Sequence, residues 1–332
     1  MQVNRHASAT VMPDSITITE IEQAAVRLHG VAHVTPVMTS SQLDRLARAH
    51  VFLKCENFQR VGAFKFRGAY NAISRLVANG DPRPVVTISS GNHAQGVALA
   101  CRLKGRVAHV VMPSPVNTAK RAAVLDYGAM VHEAPTRSDA ERLADELVLR
   151  YDAVLVHPYN DANVMAGQGT VALEFLSQIP NLDVLLAPIS GGGLMSGVCV
   201  AVHARNPDIR LYACEPAGAL DATISVRENR IVPTAHPHTM ADGLRATLGT
   251  LALPILRRHL SGFFVVEERE IVNAMRFAFE RMKLVIEPSS AVALAPLLRG
   301  EESLRDRVVG VIVTGGNVDL FPYWDCLSAS LQ

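Results

Sequence analysis

The stretch at residues 184–203, VLLAPISGGGLMSGVCVAVH, decides the fold class. It contains no Asp, Glu, Lys or Arg and has the length of a membrane-spanning helix. However, Pro188, Ser190 and three consecutive glycines lie at its centre, and a bilayer would leave that interrupted backbone without hydrogen-bond partners. We therefore interpret the stretch as a buried strand, a glycine-rich turn and the start of a helix.

The same alternation continues on both sides of this stretch. Short apolar runs occur as VFLKC, VVTIS, VAHVVMP, MVHEA, AVLVHP, VLLAPIS, IRLYACEP and VVGVIVTGG, and helix-like segments lie between several of them at residues 91–104, 117–127, 138–150 and 163–178. Strands that are apolar on both faces and alternate with helices predict an α/β fold, with open, twisted, mostly parallel sheets and helices on both faces. A further helix is expected to begin after Thr17 or Thr19, where a hydroxyl can cap the first turn.

The length of 332 residues predicts two domains, at roughly 150 residues each. The patch NGDPRP at residues 79–84 precedes a new strand and is a candidate boundary. We expect a small domain at residues 84–160 and a large domain formed by residues 1–83 and 161–332.

Composition excludes several classes of function. The 32 Lys and Arg residues nearly balance the 31 Asp and Glu residues, so the net charge is +1 and no basic cluster indicates nucleic acid as a partner. The five cysteines form no CxxC pair or disulfide framework, which is typical of a reducing compartment. The N-terminal residues lack the apolar core of a signal peptide, so we predict a cytoplasmic protein that does not bind membranes.

The segment GAFKFRG at residues 62–68 places Lys65 between two phenylalanines at the start of a predicted helix. Apolar surroundings and the positive end of a helix both lower the pKa of an amine, which makes it a nucleophile able to form a Schiff base. The alternative is a surface lysine whose aliphatic stem covers apolar side chains.

Two further segments join a strand to a helix and could hold anions. TISSGNHAQG at residues 87–96 offers hydroxyls and free amides at a helix start, and SGGGL at residues 190–194 offers a row of amide donors that an anion can approach closely. The alternatives are an ordinary N-cap for the first segment and a tight packing turn for the second.

Two sites of polar residues follow other apolar strands. The hydroxyl of Thr314 lies at the end of the last strong apolar strand, where ligands of α/β proteins bind. The alternative for this residue is a plain turn that ends the strand. Glu215 and Asp221 lie on either side of a loop and could hold Mg²⁺ or Ca²⁺, which prefer oxygen ligands. The alternative for these two acids is a solvated loop.

Taken together and in this order, the motifs resemble the fold-type II pyridoxal-phosphate enzymes, whose two-domain fold is like that of the tryptophan synthase β-subunit. The chain is most similar to their branch of serine/threonine dehydratases, serine racemases and threo-3-hydroxyaspartate ammonia-lyases. The resemblance extends from about Ile18 to Asp319. It is carried by ENFQRVGAFKFRGAYNAI, SSGNHAQGVALAC, MAGQGTVALEF, SGGGLMSGV, EPAGALD, MADG, EPSSA and TGGNVD.

The resemblance implies pyridoxal 5′-phosphate as the cofactor, bound by the large domain, with a small mobile domain that closes on the substrate. Lys65 would form the Schiff base and remove the substrate α-proton, with Phe64 packed near the cofactor. Asn92 would bond the pyridoxal 3′-oxygen, and Thr314 would contact the pyridine nitrogen. A neutral hydroxyl there cannot hold that nitrogen protonated as a carboxylate would, which suits elimination. The phosphate would be bound by Ser190, Gly191, Gly192, Gly193 and Leu194.

The resemblance also implies a substrate site and a cation site. The substrate carboxylate would be received by Ser89, Ser90, Asn92 and His93, and Ser90 matches the acid/base that racemases place on the opposite face of the cofactor. Glu215, Asp221 and the carbonyl of Ala219 match the Mg²⁺ or Ca²⁺ site of the metal-dependent members. The residue at position 220 is Leu, where some relatives have an acid.

We therefore predict a pyridoxal-phosphate-dependent ammonia-lyase, a carbon–oxygen lyase that converts β-hydroxy amino acids such as L-threonine or L-serine to a 2-oxo acid and ammonia. Its partner would be a small amino-acid substrate, and the chain would form a homodimer. Serine racemase and threo-3-hydroxyaspartate ammonia-lyase are the alternatives within the enzyme class. A non-catalytic amino-acid sensor is the alternative from another class.

Overall fold

A computed structural model describes residues 16–114, 116 and 118–329. The strands in this part of the chain are β1 Val37–Met38, β2 His50–Cys55, β3 Val85–Ile88, β4 Ala108–Pro113, β5 Met130–Ala134, β6 Val154–Leu155, β7 Val184–Pro188, β8 Arg210–Pro216, β9 Gly262–Val266 and β10 Val308–Val313. They form a six-stranded sheet in the order β1-β2-β10-β7-β8-β9 and a four-stranded sheet in the order β5-β4-β3-β6. Apart from the antiparallel β1–β2 pair, the strand pairs of the described residues are parallel.

Helices connect the strands and cover the sheets. Their bounds are α1 Ile18–Leu28, α2 Ser41–Ala47, α3 Lys65–Ala78, α4 Asn92–Leu103, α5 Thr118–Asp126, α6 Arg137–Tyr151, α7 Ala162–Gln178, α8 Gly193–Arg205, α9 Asp221–Glu228, α10 Ala252–His259, α11 Glu268–Phe277, α12 Pro288–Ala291, α13 Ala295–Leu298 and α14 Leu320–Ala329. Within the part of the chain that the structure describes, no helix combines the length and the hydrophobicity that a membrane crossing requires.

The predicted α/β class is confirmed. The stretch at residues 184–203 folds as strand β7, a turn and helix α8, as predicted. Thr17 caps helix α1, as expected, with its hydroxyl accepting from the Glu20 amide. The run AVLVHP was expected to form a full strand, but β6 has two residues, because Pro158 has no N–H to donate to a ladder. Strand β9 was not predicted, since it lies at the edge of its sheet and alternates between buried and exposed residues.

Close helix packing fixes the start of α3, the helix that carries Lys65. Glycines let the backbones approach: a Cβ at Gly167 would lie 2.6 Å from the Arg67 carbonyl oxygen, and one at Gly197 would lie 2.5 Å from that of Met165. Two residues beyond Lys65, the buried Arg67 guanidinium donates to Glu56 at 2.7 and 2.8 Å and to Glu174 at 3.0 Å. Removing one partner of such a buried ion pair costs about 3–5 kcal/mol, so this end of α3 is held firmly in place.

Candidate active site

A cleft of about 590 Å³ lies between the two sheets, at the carboxyl ends of β3, β7 and β10. It is lined by the residues that the sequence analysis assigned to cofactor and substrate: Phe64, Lys65, Ser89, Ser90, Asn92, His93, Ser190, Gly191, Gly192, Gly193, Leu194 and Thr314. The residues proposed to bind a cation, Glu215, Ala219 and Asp221, are not among those that line it. Parallel strands bring distant polar residues to one edge of a sheet, which explains why these motifs converge.

Lys65 is the first residue of α3 and is half-buried in the wall of the cleft. Its ammonium donates to the carbonyl oxygen of Pro158 at 2.9 Å and lies 5.1 Å from the centre of the Phe64 ring. Burial lowers the pKa of Lys65 to about 8, although the charge of Glu287 opposes this shift. A substantial fraction of the amine is therefore unprotonated just above neutral pH, as a nucleophile requires.

The backbone before Lys65 is attached to the end of β10. Ala63 forms an isolated antiparallel bridge with Gly315, and the amide of Phe64 donates to the carbonyl oxygen of Thr314 at 3.0 Å. Lys65 and Thr314 are therefore held at a fixed separation by main-chain hydrogen bonds.

The glycine loop before α8 has the properties of an anion cradle. A Cβ at Gly191 would lie 2.3 Å from the Tyr159 ring, so this position has no room for a side chain. Gly192 has φ +85°, a backbone conformation that residues with side chains rarely adopt. No side chain caps α8, and a helix leaves its first amides without intrahelical partners. The hydroxyl of Ser190 donates to the Ala246 carbonyl oxygen and accepts from the Ala246 amide, both at 3.0 Å. These two hydrogen bonds anchor the loop.

These donors fit the cofactor that the resemblance implies. A buried amine of lowered pKa suits the carbonyl group of pyridoxal phosphate, and a row of free amides at the start of a long helix suits its phosphate. Both line one cleft whose volume is typical of sites for small molecules.

Asn92 is held by two side chains from distant parts of the sequence. Its amide nitrogen donates to the Glu287 carboxylate at 2.8 and 3.0 Å, and its amide oxygen accepts from Asn317 at 2.9 Å. Asn317 also donates to the carbonyl oxygen of Val61 at 2.7 Å. The side-chain amide of Asn92 is therefore fixed in orientation at the start of α4.

The loop before α4 presents hydroxyl and amide donors to the cleft. The hydroxyl of Ser89 accepts from the Gly91 amide at 3.2 Å, whereas no hydrogen-bond partner for the Ser90 hydroxyl occurs within the described residues. His93 lies 3.3 Å from the Val156 carbonyl through Nε2, and burial lowers the pKa of the imidazole to about 3. A neutral ring whose one N–H faces a carbonyl has no proton for a carboxylate, so His93 could bind the substrate carboxylate only through its backbone amide.

The predicted cation site forms a separate group of buried acids. Glu215 accepts from the Ala222 amide at 2.8 Å and from the Thr223 amide at 2.9 Å, and Asp221 accepts from the Leu248 amide at 2.8 Å. No cluster of three or more His, Cys, Asp or Glu side chains suited to a metal occurs in the described part of the chain. A cation here would rest on the two carboxylates and the carbonyl of Ala219. Its presence stays a prediction.

Five charged residues that line the cleft had no role predicted from the sequence: Lys120, Arg137, Asp242, Arg245 and Glu287. Glu287 contacts Asn92, and Lys120 forms a 2.7 Å ion pair with Asp242. The signal for Glu287 was a single acid inside the apolar run LVIEPSS, just before a proline that begins a helix. Asp242 lies in the motif MADG, but nothing in the sequence indicates its pairing with Lys120, because the two residues meet only through the tertiary fold.

Comparison with known proteins gives concordant results. The family model described as pyridoxal-phosphate dependent enzyme matches residues 30–315. A serine racemase from Arabidopsis thaliana is 41% identical over 336 aligned positions, which cover 99% of this chain and 100% of the relative. An L-threo-3-hydroxyaspartate ammonia-lyase from Pseudomonas sp is 43% identical, covering 92% of this chain and 96% of the relative. The solved structure of maize serine racemase has a TM-score of 0.90 at 40% identity, covering 95% of this chain and 98% of that one.

Proposed function

The chain belongs to the pyridoxal-phosphate-dependent enzymes, within the group of serine racemases and ammonia-lyases, and from this we propose that it racemises serine and also eliminates water from it. The similarity to serine racemases supports racemisation at least as well as the predicted main activity, dehydration of β-hydroxy amino acids such as L-threonine or L-serine. The observation that carries the proposal is that one cleft holds both the Lys65 amine and the Ser90 hydroxyl, for which the described residues offer no hydrogen-bond partner.

Lys65 is the proposed base on one face of the substrate. Pyridoxal phosphate, when bound through Lys65, supplies an electron sink for the charge that develops at the substrate α-carbon. When it is not bonded to the cofactor, the Lys65 amine would be free to take the α-proton. Its lowered pKa increases the fraction of the amine that is in the basic form just above neutral pH, and the Pro158 carbonyl offers a fixed acceptor for its N–H.

Ser90 is the proposed proton donor for the opposite face. Racemisation requires a proton to arrive on the side from which none was taken, and the resemblance gives this role to the residue at position 90. Since no described residue bonds its hydroxyl, Ser90 can turn toward the substrate without breaking a hydrogen bond.

Elimination would use the same site without Ser90. Lys65 would take the α-proton, the β-hydroxyl would leave as water with a net transfer of that proton, and the released enamine would hydrolyse to a 2-oxo acid and ammonia. The α-proton is never returned to carbon, so only the lysine face is needed.

A second candidate is elimination from a β-hydroxy amino acid that carries a second carboxylate, as the name of the 43%-identical relative describes for that protein. It is supported by Arg137 at the start of α6, which lines the cleft and is half exposed. A guanidinium there could bind a second carboxylate through two hydrogen bonds.

The experiment compares Ser90→Ala with wild type for D-serine formation and pyruvate formation from L-serine. We expect D-serine formation to fall by at least about a hundredfold, the usual contribution of a general acid or base. Elimination should fall only about tenfold, since Ser90 also lines the proposed carboxylate pocket and misplacement there has a cost. Ser114→Ala, at an exposed position on the rim of the cleft, is the matched control and should change neither rate.

Two results would contradict the proposal. Equal losses of both activities in Ser90→Ala would mean that the two-face assignment is wrong. No turnover of any serine or 3-hydroxyaspartate isomer by the wild-type holoenzyme would favour the amino-acid sensor instead.

A further inference from the structure

The imidazole of His157 holds the loop that follows strand β6. Its Nδ1 lies 2.9 Å from the amide nitrogen of Asn160 and 3.3 Å from that of Tyr159. An amide N–H can only donate, so Nδ1 accepts both hydrogen bonds and carries no proton. A side-chain acceptor that binds the amides two and three residues further on fixes a turn, as Asp and Asn commonly do. His157 therefore fixes the backbone between itself and Asn160.

The turn places two groups in the cleft, although His157 itself does not line it. The carbonyl oxygen of Pro158 accepts from the Lys65 ammonium at 2.9 Å. The ring of Tyr159 occupies the space beside Gly191, where a Cβ would lie 2.3 Å from it. The same ring meets the His157 ring edge to face, with the ring centres 4.5 Å apart. The turn thus lies between the proposed base and the proposed phosphate loop.

We propose that His157 is a positioning residue: by accepting the two amides it keeps the Pro158 carbonyl against the Lys65 amine. The inference rests on the proposed function, in which Lys65 is the base. A base must be held within hydrogen-bond reach of the proton that it takes, and the Pro158 carbonyl restrains the end of the long, flexible lysine side chain. Racemisation of L-serine and elimination from it both begin with this proton, so His157 serves both reactions.

The neutral state of His157 makes this role testable. Burial lowers the pKa of His157 to about 4, and the positive charges of Arg137 and Lys65 add to the shift, whereas the charge of Glu141 opposes it. The imidazole is therefore uncharged near neutral pH, and its replacement by another neutral side chain changes no charge beside Lys65. An effect of such a replacement on the pKa of Lys65 must then come from the backbone that His157 holds.

The test compares His157→Asn with His157→Gln. The acceptor oxygen of Asn is bonded to Cγ, as Nδ1 is, and can accept the same amides, whereas the polar atoms of Gln lie one bond further away, as Nε2 does. In the full chain without cofactor, acetylation of Lys65 by acetic anhydride is followed by peptide mapping at several pH values, with the exposed Lys283 as internal reference. A carbonyl acceptor favours the charged form of an amine, so the midpoint pH of Lys65 acetylation should fall by about one pH unit in His157→Gln and stay unchanged in His157→Asn.

The holoenzymes give a second readout with L-serine as substrate. In His157→Gln we expect kcat to fall about tenfold for D-serine formation and for pyruvate formation alike, with KM within about twofold of wild type, because the base is misplaced and the substrate pocket is not. Both values should stay within about twofold of wild type in His157→Asn. Asn206→Gln is the matched control: Asn206 also accepts an amide two residues further on, from Asp208 at 3.1 Å, but does not line the cleft. It should change neither readout.

A further variant, His157→Leu, covers the case in which His157→Gln does not fold, since Leu also offers no acceptor at the position of Nδ1. An unchanged midpoint of Lys65 acetylation in whichever of the two variants folds would overturn the inference. So would a His157→Asn protein that is impaired to the same extent as that variant. Wild-type holoenzyme that turns over no serine isomer would overturn the proposed function instead, and the acetylation of Lys65 would still show whether His157 holds the Pro158 carbonyl in place.

Discussion

Glu287 carries a carboxyl group that is buried in the cleft beside the Asn92 amide. Burial raises the pKa of Glu287 to about 7, and the nearby charge of Asp242 adds to the shift, whereas the hydrogen bond from Asn92 and the charge of Lys120 oppose it. The ammonium of Lys65 also faces this carboxyl group. Asn92 and Glu287 are 195 positions apart, so no local pattern could have paired them.

This raised pKa predicts a particular pH dependence of stability for the cofactor-free protein. The folded state binds the Glu287 proton more tightly than the unfolded chain, so the stability it gives is fully present below the ordinary pKa of 4.5 and is lost as the pH rises to about 7. Across this window wild type should lose about 3 kcal/mol relative to Glu287→Gln, which stays neutral. Urea unfolding of both proteins at several pH values measures the difference, and parallel profiles would contradict it.

At the scale of elements, the turn between β7 and α8 was predictable because its chemistry is local. Consecutive glycines after a buried strand predict an anion cradle at a helix start, and the structure brings these glycines to the cleft wall. What the sequence does not reveal is what prevents a side chain there. A Cβ at Gly192 would lie 2.6 Å from the Ala252 Cβ and 2.8 Å from the Leu248 Cδ1, both distant in sequence.

Gly192→Ala and Gly128→Ala separate backbone strain from crowding. Both glycines have φ +85°, but a Cβ at Gly128 would meet nothing within 4 Å. Gly128→Ala should therefore lower the free energy of unfolding by about 1 kcal/mol, from backbone strain alone. Gly192→Ala should lower it by about 2–4 kcal/mol, because crowding is added, and should also weaken cofactor binding. Denaturant unfolding and cofactor titration measure these effects, and equal losses would show that crowding at Gly192 is unimportant.

At the scale of the whole molecule, the two sheets meet across the cleft. The ion pair between Lys120 on α5 and Asp242 links the part of the chain that forms the four-stranded sheet to the part that forms the six-stranded one. All strands of the smaller sheet lie within residues 85–155, and the predicted boundaries at 84 and 160 surround them. That this part moves as a domain stays a prediction, as do the homodimer and the cytoplasmic location.

The apolar pattern was sufficient for the buried parallel strands, which need apolar residues on both faces, but it missed the edge strand β9. The pairing of side chains between distant segments was not predictable, since Ser290 and Thr314 or Lys120 and Asp242 come together only when the whole chain has folded.

The proposed cation site also acts at this scale, since Glu215 and Asp221 join strand β8, helix α9 and the loop at Leu248. A cation that binds only the folded protein stabilises it, so chelation of Mg²⁺ and Ca²⁺ should lower the free energy of unfolding by about 3 kcal/mol for a site held at a hundred times its Kd. Glu215→Gln should not respond to chelation. If wild type is unaffected while elemental analysis confirms metal removal, the cation site is contradicted, and the two acids serve only to cap α9 through Glu215 and to hold the loop at Leu248 through Asp221.

The central claim is that Lys65 holds the cofactor, and borohydride reduction of the holoenzyme followed by peptide mapping tests it most directly. Reduction turns the linkage between the cofactor and its lysine into a stable secondary amine. We expect a pyridoxyl group on Lys65 and none on Lys54. Lys54 is fully buried, and its ammonium donates hydrogen bonds to Thr35, Glu174 and Gln178. Label on any other lysine, or on none, would contradict the account.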